Sequence, residues 1–172
     1  MRFAIVGNSG SGKSTLARYL AGAAGLPALD LDTIAWAPGQ PAVERPAAQA
    51  QADVAAFCSA HDGWVVEGCY GHLVQAALAY QPLLVFLNPG PEGCAANCRS
   101  RPWEPHKFES REAQDAHLGF LLQWVADYYV REGSMSLRAH QSLFDGYAGR
   151  KLELRHVPRF DPPEAAVLQL LR

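Results

Sequence analysis

Residues 7–14 read Gly-Asn-Ser-Gly-Ser-Gly-Lys-Ser, the spacing G-x-x-x-x-G-K-[ST] of a phosphate-binding loop. Each position has a physical task. Gly7, Gly10 and Gly12 let the backbone wrap an anion with its N–H groups turned inward, and Asn8, Ser9 and Ser11 complete the wrap. Lys13 brings charge to the β- and γ-phosphates. The Ser14 hydroxyl is a ligand for Mg²⁺, and Thr15 follows on the α-phosphate side. The pattern predicts a nucleoside triphosphate with Mg²⁺ and leaves the fate of the phosphate open.

Acids and arginines further along would decide that fate. Asp30 and Asp32 close a short apolar run, and two carboxylates two apart on a strand face one side. Either could serve the metal's water shell, and the other could take a proton from an acceptor hydroxyl. Glu67 ends the run Trp64-Val65-Val66, where an acid completes the Mg²⁺ site through water. Gly68 beside it would let a substrate approach the backbone. Arg99, Arg101 and Lys107 cluster in a charged stretch that could close over a transferring phosphoryl group. Trp36 and Arg131 are candidate acceptor contacts. His140 is the one histidine of interest, and the other aromatics, Trp124 and Tyr128 among them, read as packing.

The elements that must position these residues alternate. Strands are expected at 2–6, 28–31, 64–67, 83–88 and 151–156, and helices near 13–24, 46–60, 71–79, 91–100, 110–132, 136–146 and 163–171. Apolar strands alternating with helices mark a parallel α/β sheet covered on both faces. Asp161 and Pro162 read as N-cap and first residue of the last helix. Residues 36–46, 99–109 and 157–163 are irregular and follow element ends, where ligands bind in such sheets.

With 172 residues and a net charge of −2, the chain is expected to be one domain without the basic field that a nucleic-acid partner requires. No apolar run approaches membrane-spanning length, and the start runs directly into the loop strand, so a cytoplasmic protein with reduced cysteines is expected. Cys94 and Cys98, four apart, read as small buried thiols on one helix face.

The segments 7–18 (GNSGSGKSTLAR), 31–39 (LDTIAWAPG), 64–70 (WVVEGCY) and 124–131 (WVADYYVR), with the arginine-rich lid, resemble the adenylate kinase-like branch of P-loop kinases. Within it the chain is most similar to the small bacterial group labelled topology modulation protein-like or shikimate kinase-like. The resemblance implies a three-layer fold with a five-stranded parallel sheet of order 2-3-1-4-5. It also implies an acceptor-binding insert over 33–62 with Arg45 as a substrate contact, Asp32 ahead of Asp30 as the acceptor-side acid, a mobile lid over 99–109, and phosphoryl transfer from ATP. Where adenylate kinases carry Asp-Gly-Phe-Pro-Arg, this chain has Glu67-Gly68-Cys69-Tyr70-Gly71, without the arginine that clamps a nucleoside monophosphate. The expectation is therefore a kinase for a small hydroxyl-bearing acceptor. A nucleotide-hydrolysing switch is the alternative, and a role in DNA topology rests on the family label alone.

Overall fold

The computed structural model describes residues 1–38, 40–103 and 109–171. Five parallel strands form the central sheet: β1 (Arg2–Gly7), β2 (Ala28–Asp30), β5 (Trp64–Gly68), β6 (Leu83–Leu87) and β7 (Lys151–Leu154). Their order is β2-β5-β1-β6-β7. Counting the strands of this sheet alone, that is the order 2-3-1-4-5. The labels jump because a hairpin of β3 (Trp36–Ala37) and β4 (Gln40–Glu44) interrupts the sequence.

Side-chain parity divides the core in two. Ala4, Val6, Trp64, Val66, Leu84 and Phe86 face one side. There they meet α3 (Ala47–Ala60), α4 (Gly71–Leu78) and α7 (Leu137–Gly146). Phe3, Ile5, Val65, Val85 and Leu87 face the other, against Leu16, Ala17 and Leu20 of α1 (Lys13–Ala24) and Val167 and Leu170 of α8 (Ala165–Leu170). The same alternation carries function outward: Glu67 shares parity with Val65, so it emerges on the face of α1. A third cluster holds Cys94 and Cys98 of α5 (Gly90–Arg99) against Val125 of α6 (Arg111–Asp127), so both thiols are buried on one helix face.

Four local expectations change. The stretch 36–46 contains the hairpin instead of being irregular throughout, and a short helix α2 (Asp32–Ala35) precedes it. Asp32 therefore lies on a helix, not two positions along a strand from Asp30. α6 ends at Asp127, short of 132, because the Tyr128 carbonyl accepts from Leu137 N at 2.9 Å and leaves the helical ladder. α8 starts at Ala165 with Glu164 as the N-cap residue. Pro163 keeps Pro162 out of the helical region, so Asp161 cannot cap there.

Candidate active site

The P-loop runs from the end of β1 to the start of α1. Gly10 (φ 76°) and Gly12 (φ 94°) have the left-handed backbone that an L side chain resists. Gly10 has a second constraint: a Cβ there would meet the Cys94 carbonyl oxygen and stand 2.7 Å from Cys98 Sγ. The loop is tied to the helices on either side of residues 100–110. Asn97 Nδ2 of α5 donates to the Gly10 carbonyl at 2.8 Å, and Asn8 Nδ2 donates to the Val125 carbonyl of α6 at 2.9 Å. Asn8 Oδ1 in turn accepts from Ser9 N at 2.8 Å. Lys13 Nζ lies back across the loop, donating to the Asn8 carbonyl at 2.9 Å.

Glu67 is only 5% exposed. Burial raises its carboxyl above the usual range; Lys13 opposes this, Asp30 adds to it, the Ser14 hydroxyl opposes it by donating to the carboxylate, and Asp32 adds a smaller push. Asp30 is the register partner of Glu67 across the β2–β5 pair, which explains the influence. A buried carboxylate whose anion is disfavoured, hydrogen-bonded to the P-loop serine, fits a hydrated divalent cation: Mg²⁺ keeps several waters and needs only one or two protein ligands. Ser14 and Glu67 are the residues placed to serve such a cation.

Asp32 is held from two directions. Its N–H donates to Asp30 Oδ1 at 2.9 Å, so Asp30 supports the first turn of α2, and Thr33 Oγ1 donates to the Asp30 carbonyl at 2.6 Å. Its carboxylate accepts from the Tyr70 hydroxyl at 2.8 Å. Trp36 does not stand in the cleft wall; its indole N–H donates to Tyr70 Oη at 2.8 Å.

A cleft of about 540 Å³ gathers Gly12, Lys13, Ser14, Thr15, Asp32 and Glu67 with Arg101. Its far wall is Trp103 with Val157, Pro158 and Phe160. Arg101 thus joins the P-loop, whereas Arg99 is exposed at the end of α5. Lys107 lies outside the described residues. A larger cavity, about 730 Å³, opens around Met1, Arg2, Leu83 and Arg150. It sits at the starts of the strands, away from the P-loop, and does not collect the acids; the smaller cleft is the candidate site.

Three candidates have other roles. Arg45 is committed to the fold, with Nη1 donating to the Ile34 carbonyl at 3.0 Å and to Asp53 Oδ2 at 2.7 Å. Arg131 stacks on Trp124, 3.6 Å from its ring centroid, and donates to the Met135 and Trp124 carbonyls at 2.7 and 3.0 Å. Gly68 does line the cleft, but its lack of a side chain is required by packing, since a Cβ would stand 2.8 Å from Leu31 Cβ. Arg18, also on the cleft wall, was not singled out from the sequence, although it lies one helical turn after Ser14. Tyr70 was missed as well, because its partners Asp32 and Trp36 are more than thirty residues away.

No family model matches the sequence, and no curated protein matches it. Solved structures do. A gluconokinase from Sinorhizobium meliloti 1021 superposes with a TM-score of 0.61 at 17% identity, covering 99% of this chain and 90% of that one. A sugar kinase from Janibacter sp. HTCC2649 gives 0.58 at 14% identity, covering 99% and 93%. A shikimate kinase from Bacteroides thetaiotaomicron gives 0.57 at 15% identity, covering 99% and 96%. The chain has the fold of the small P-loop kinases. At these identities the likeness establishes architecture, and chemistry has to be argued from the site. Among the described residues no helix is long and apolar enough to cross a membrane.

Proposed function

We propose that the protein is an ATP- and Mg²⁺-dependent kinase of a small hydroxyl-bearing acceptor, working in the cytoplasm. The observation that carries this reading is the convergence of Lys13, Ser14, Glu67, Asp32 and Arg101 on one cleft at the ends of the parallel strands. A P-loop that only binds or slowly hydrolyses a nucleotide has no need of a carboxylate held toward an acceptor. The sugar and shikimate kinases of the same fold act on hydroxyl acceptors, which supports that class.

In this reading the triphosphate lies on the P-loop N–H groups and the N-terminus of α1. Lys13 exchanges the Asn8 carbonyl for the β- and γ-phosphates. Ser14 and Glu67 would hold Mg²⁺, which would supply charge neutralisation on the phosphates when bound. Asp32 orients the acceptor hydroxyl and takes its proton as the oxygen–phosphorus bond forms and the bond to the β-phosphate oxygen breaks, releasing ADP. Arg101 neutralises charge on the transferring group. The acceptor side is assigned to 33–62; the lid expected over 99–109 lies partly outside the described residues. Trp103, Val157 and Pro158 supply the apolar wall for the base.

The test is the substitution Asp32→Ala, assayed with Mg·ATP against polyhydroxy acids, sugars and nucleosides. Acceptor-dependent turnover should fall at least about a hundredfold with ATP binding retained. Phosphate release from Mg·ATP that no acceptor stimulates, equal in wild type and variant, would instead favour a hydrolysing switch.

A further inference from the structure

Tyr70 is buried among apolar residues at 4% exposure, yet its hydroxyl reaches the exposed Asp32 carboxylate. The phenol oxygen stands between two partners. The Trp36 indole N–H approaches at 2.8 Å, with the rings edge-to-face at 6.0 Å and 76°, and Asp32 Oδ1 lies at 2.8 Å on the other side. An indole N–H only donates. It therefore occupies the acceptor side of the phenol, and the phenolic hydrogen has one direction left, toward the carboxylate. Burial, then the neighbouring Cys69 and Asp32, keep the phenol protonated, so the donor is always present.

We infer that Tyr70 is a positioning residue for Asp32, and that Trp36 sets the direction of the Tyr70 proton. Asp30 fixes the backbone of Asp32; Tyr70 fixes its carboxylate. Because Trp36 opens the hairpin, the seating of the β3–β4 insert is coupled through one phenol to the acceptor-side acid. The inference deepens the kinase reading and rests on it for its catalytic meaning, whereas the hydrogen-bond chain itself can be tested without nucleotide.

The Trp36 indole resonance, assigned through Trp36→Phe in ¹⁵N-labelled full-length protein, reports the chain directly. Asp32→Asn should move it, and the same substitution made in Tyr70→Phe should leave it in place. A resonance that Asp32→Asn leaves in place, or that moves as far when the substitution is made in Tyr70→Phe, shows no path through the phenol; either overturns the inference. The second arm measures Mg·ATP turnover with the acceptor panel. Tyr70→Phe should lower panel-dependent kcat by about ten- to a hundredfold with the KM for ATP unchanged. Trp36→Phe should cost less, and the double variant should match Tyr70→Phe, because Trp36 acts through the phenol. Wild-type turnover in Tyr70→Phe, or additive losses, would contradict the assignment. If wild type itself shows no acceptor-dependent turnover, the kinase reading fails in its own assay and the resonance experiment alone decides the Tyr70–Asp32 coupling.

Discussion

His140 Nε2 lies 2.8 Å from the carbonyl oxygen of Cys69, two residues beyond Glu67, while its Nδ1 lies 2.8 Å from the Tyr128 hydroxyl. A carbonyl only accepts, so Nε2 carries the hydrogen, and Nδ1 accepts from Tyr128. The neutral ring thus joins the end of β5 to α7 and to the residue that closes α6. No solvent reaches it. Replacing His140 with Ala removes the bond to each partner and opens a cavity. The expected loss is about 2–4 kcal/mol of stability, read from urea unfolding at pH 7.5.

The same histidine sets an acid limit. Burial, first among the causes, pushes His140 down to about 4 from its ordinary 6.5. The unfolded chain therefore binds the extra proton first, and stability falls as pH drops from about 6.5 toward 4. Over the whole window the loss is on the order of 3 kcal/mol. His140→Ala, less stable at pH 7.5, should show a flatter decline between pH 6.5 and 5 when unfolding midpoints are compared.

Glu67 titrates with the opposite sign. Its carboxyl is raised in the folded state, so its contribution to stability is fully present below the unfolded value and lost as pH rises through the folded one. Glu67→Gln removes that cost. At pH 7 without nucleotide the variant should melt at a higher temperature than wild type, and it should lose the further rise that Mg·ATP gives wild type. A variant that melts lower without nucleotide would show that Glu67 is an ordinary structural acid.

Asn8 tests the attachment of the P-loop to α6. Its amide donates to the Val125 carbonyl and its oxygen accepts from Ser9 N. Asn8→Asp preserves the second bond and sets a carboxylate oxygen against the Val125 carbonyl. The expected cost is about 2–3 kcal/mol, with weaker Mg·ATP binding by titration calorimetry.

Arg45 separates a structural arginine from a substrate contact. Its partner Asp53 is half exposed, so the ion pair contributes below about 1 kcal/mol. Arg45→Ala should lower the melting temperature slightly and leave acceptor KM within about twofold, since the guanidinium is engaged by Ile34 and Asp53.

Much of this was legible in the sequence where one residue's type and its immediate neighbours decide the outcome. The P-loop, the strand ending at Glu67 and the apolar runs of β1, β5 and β6 depend on local pattern. The hairpin was not legible, because Pro38 and Pro41 read as breakers while Trp36–Glu44 pairing supplies the ladder. Asp30 was read as chemistry; its carboxylate instead holds the Asp32 N–H, and that depends on whether Leu31 continues the strand or turns. Arg45 and Arg131 carry the right charge for an acceptor, but which carbonyls surround them is a tertiary fact. Tyr70 became visible only once β5 and α2 were side by side.

The most direct test of phosphoryl transfer is phosphorus NMR of Mg·ATP with an acceptor panel, in wild type and Lys13→Ala. A new phosphoester resonance in wild type, growing as ADP appears and absent from the variant, is the predicted result. Inorganic phosphate as the sole product across the panel, or a phosphoester formed equally by Lys13→Ala, would contradict it.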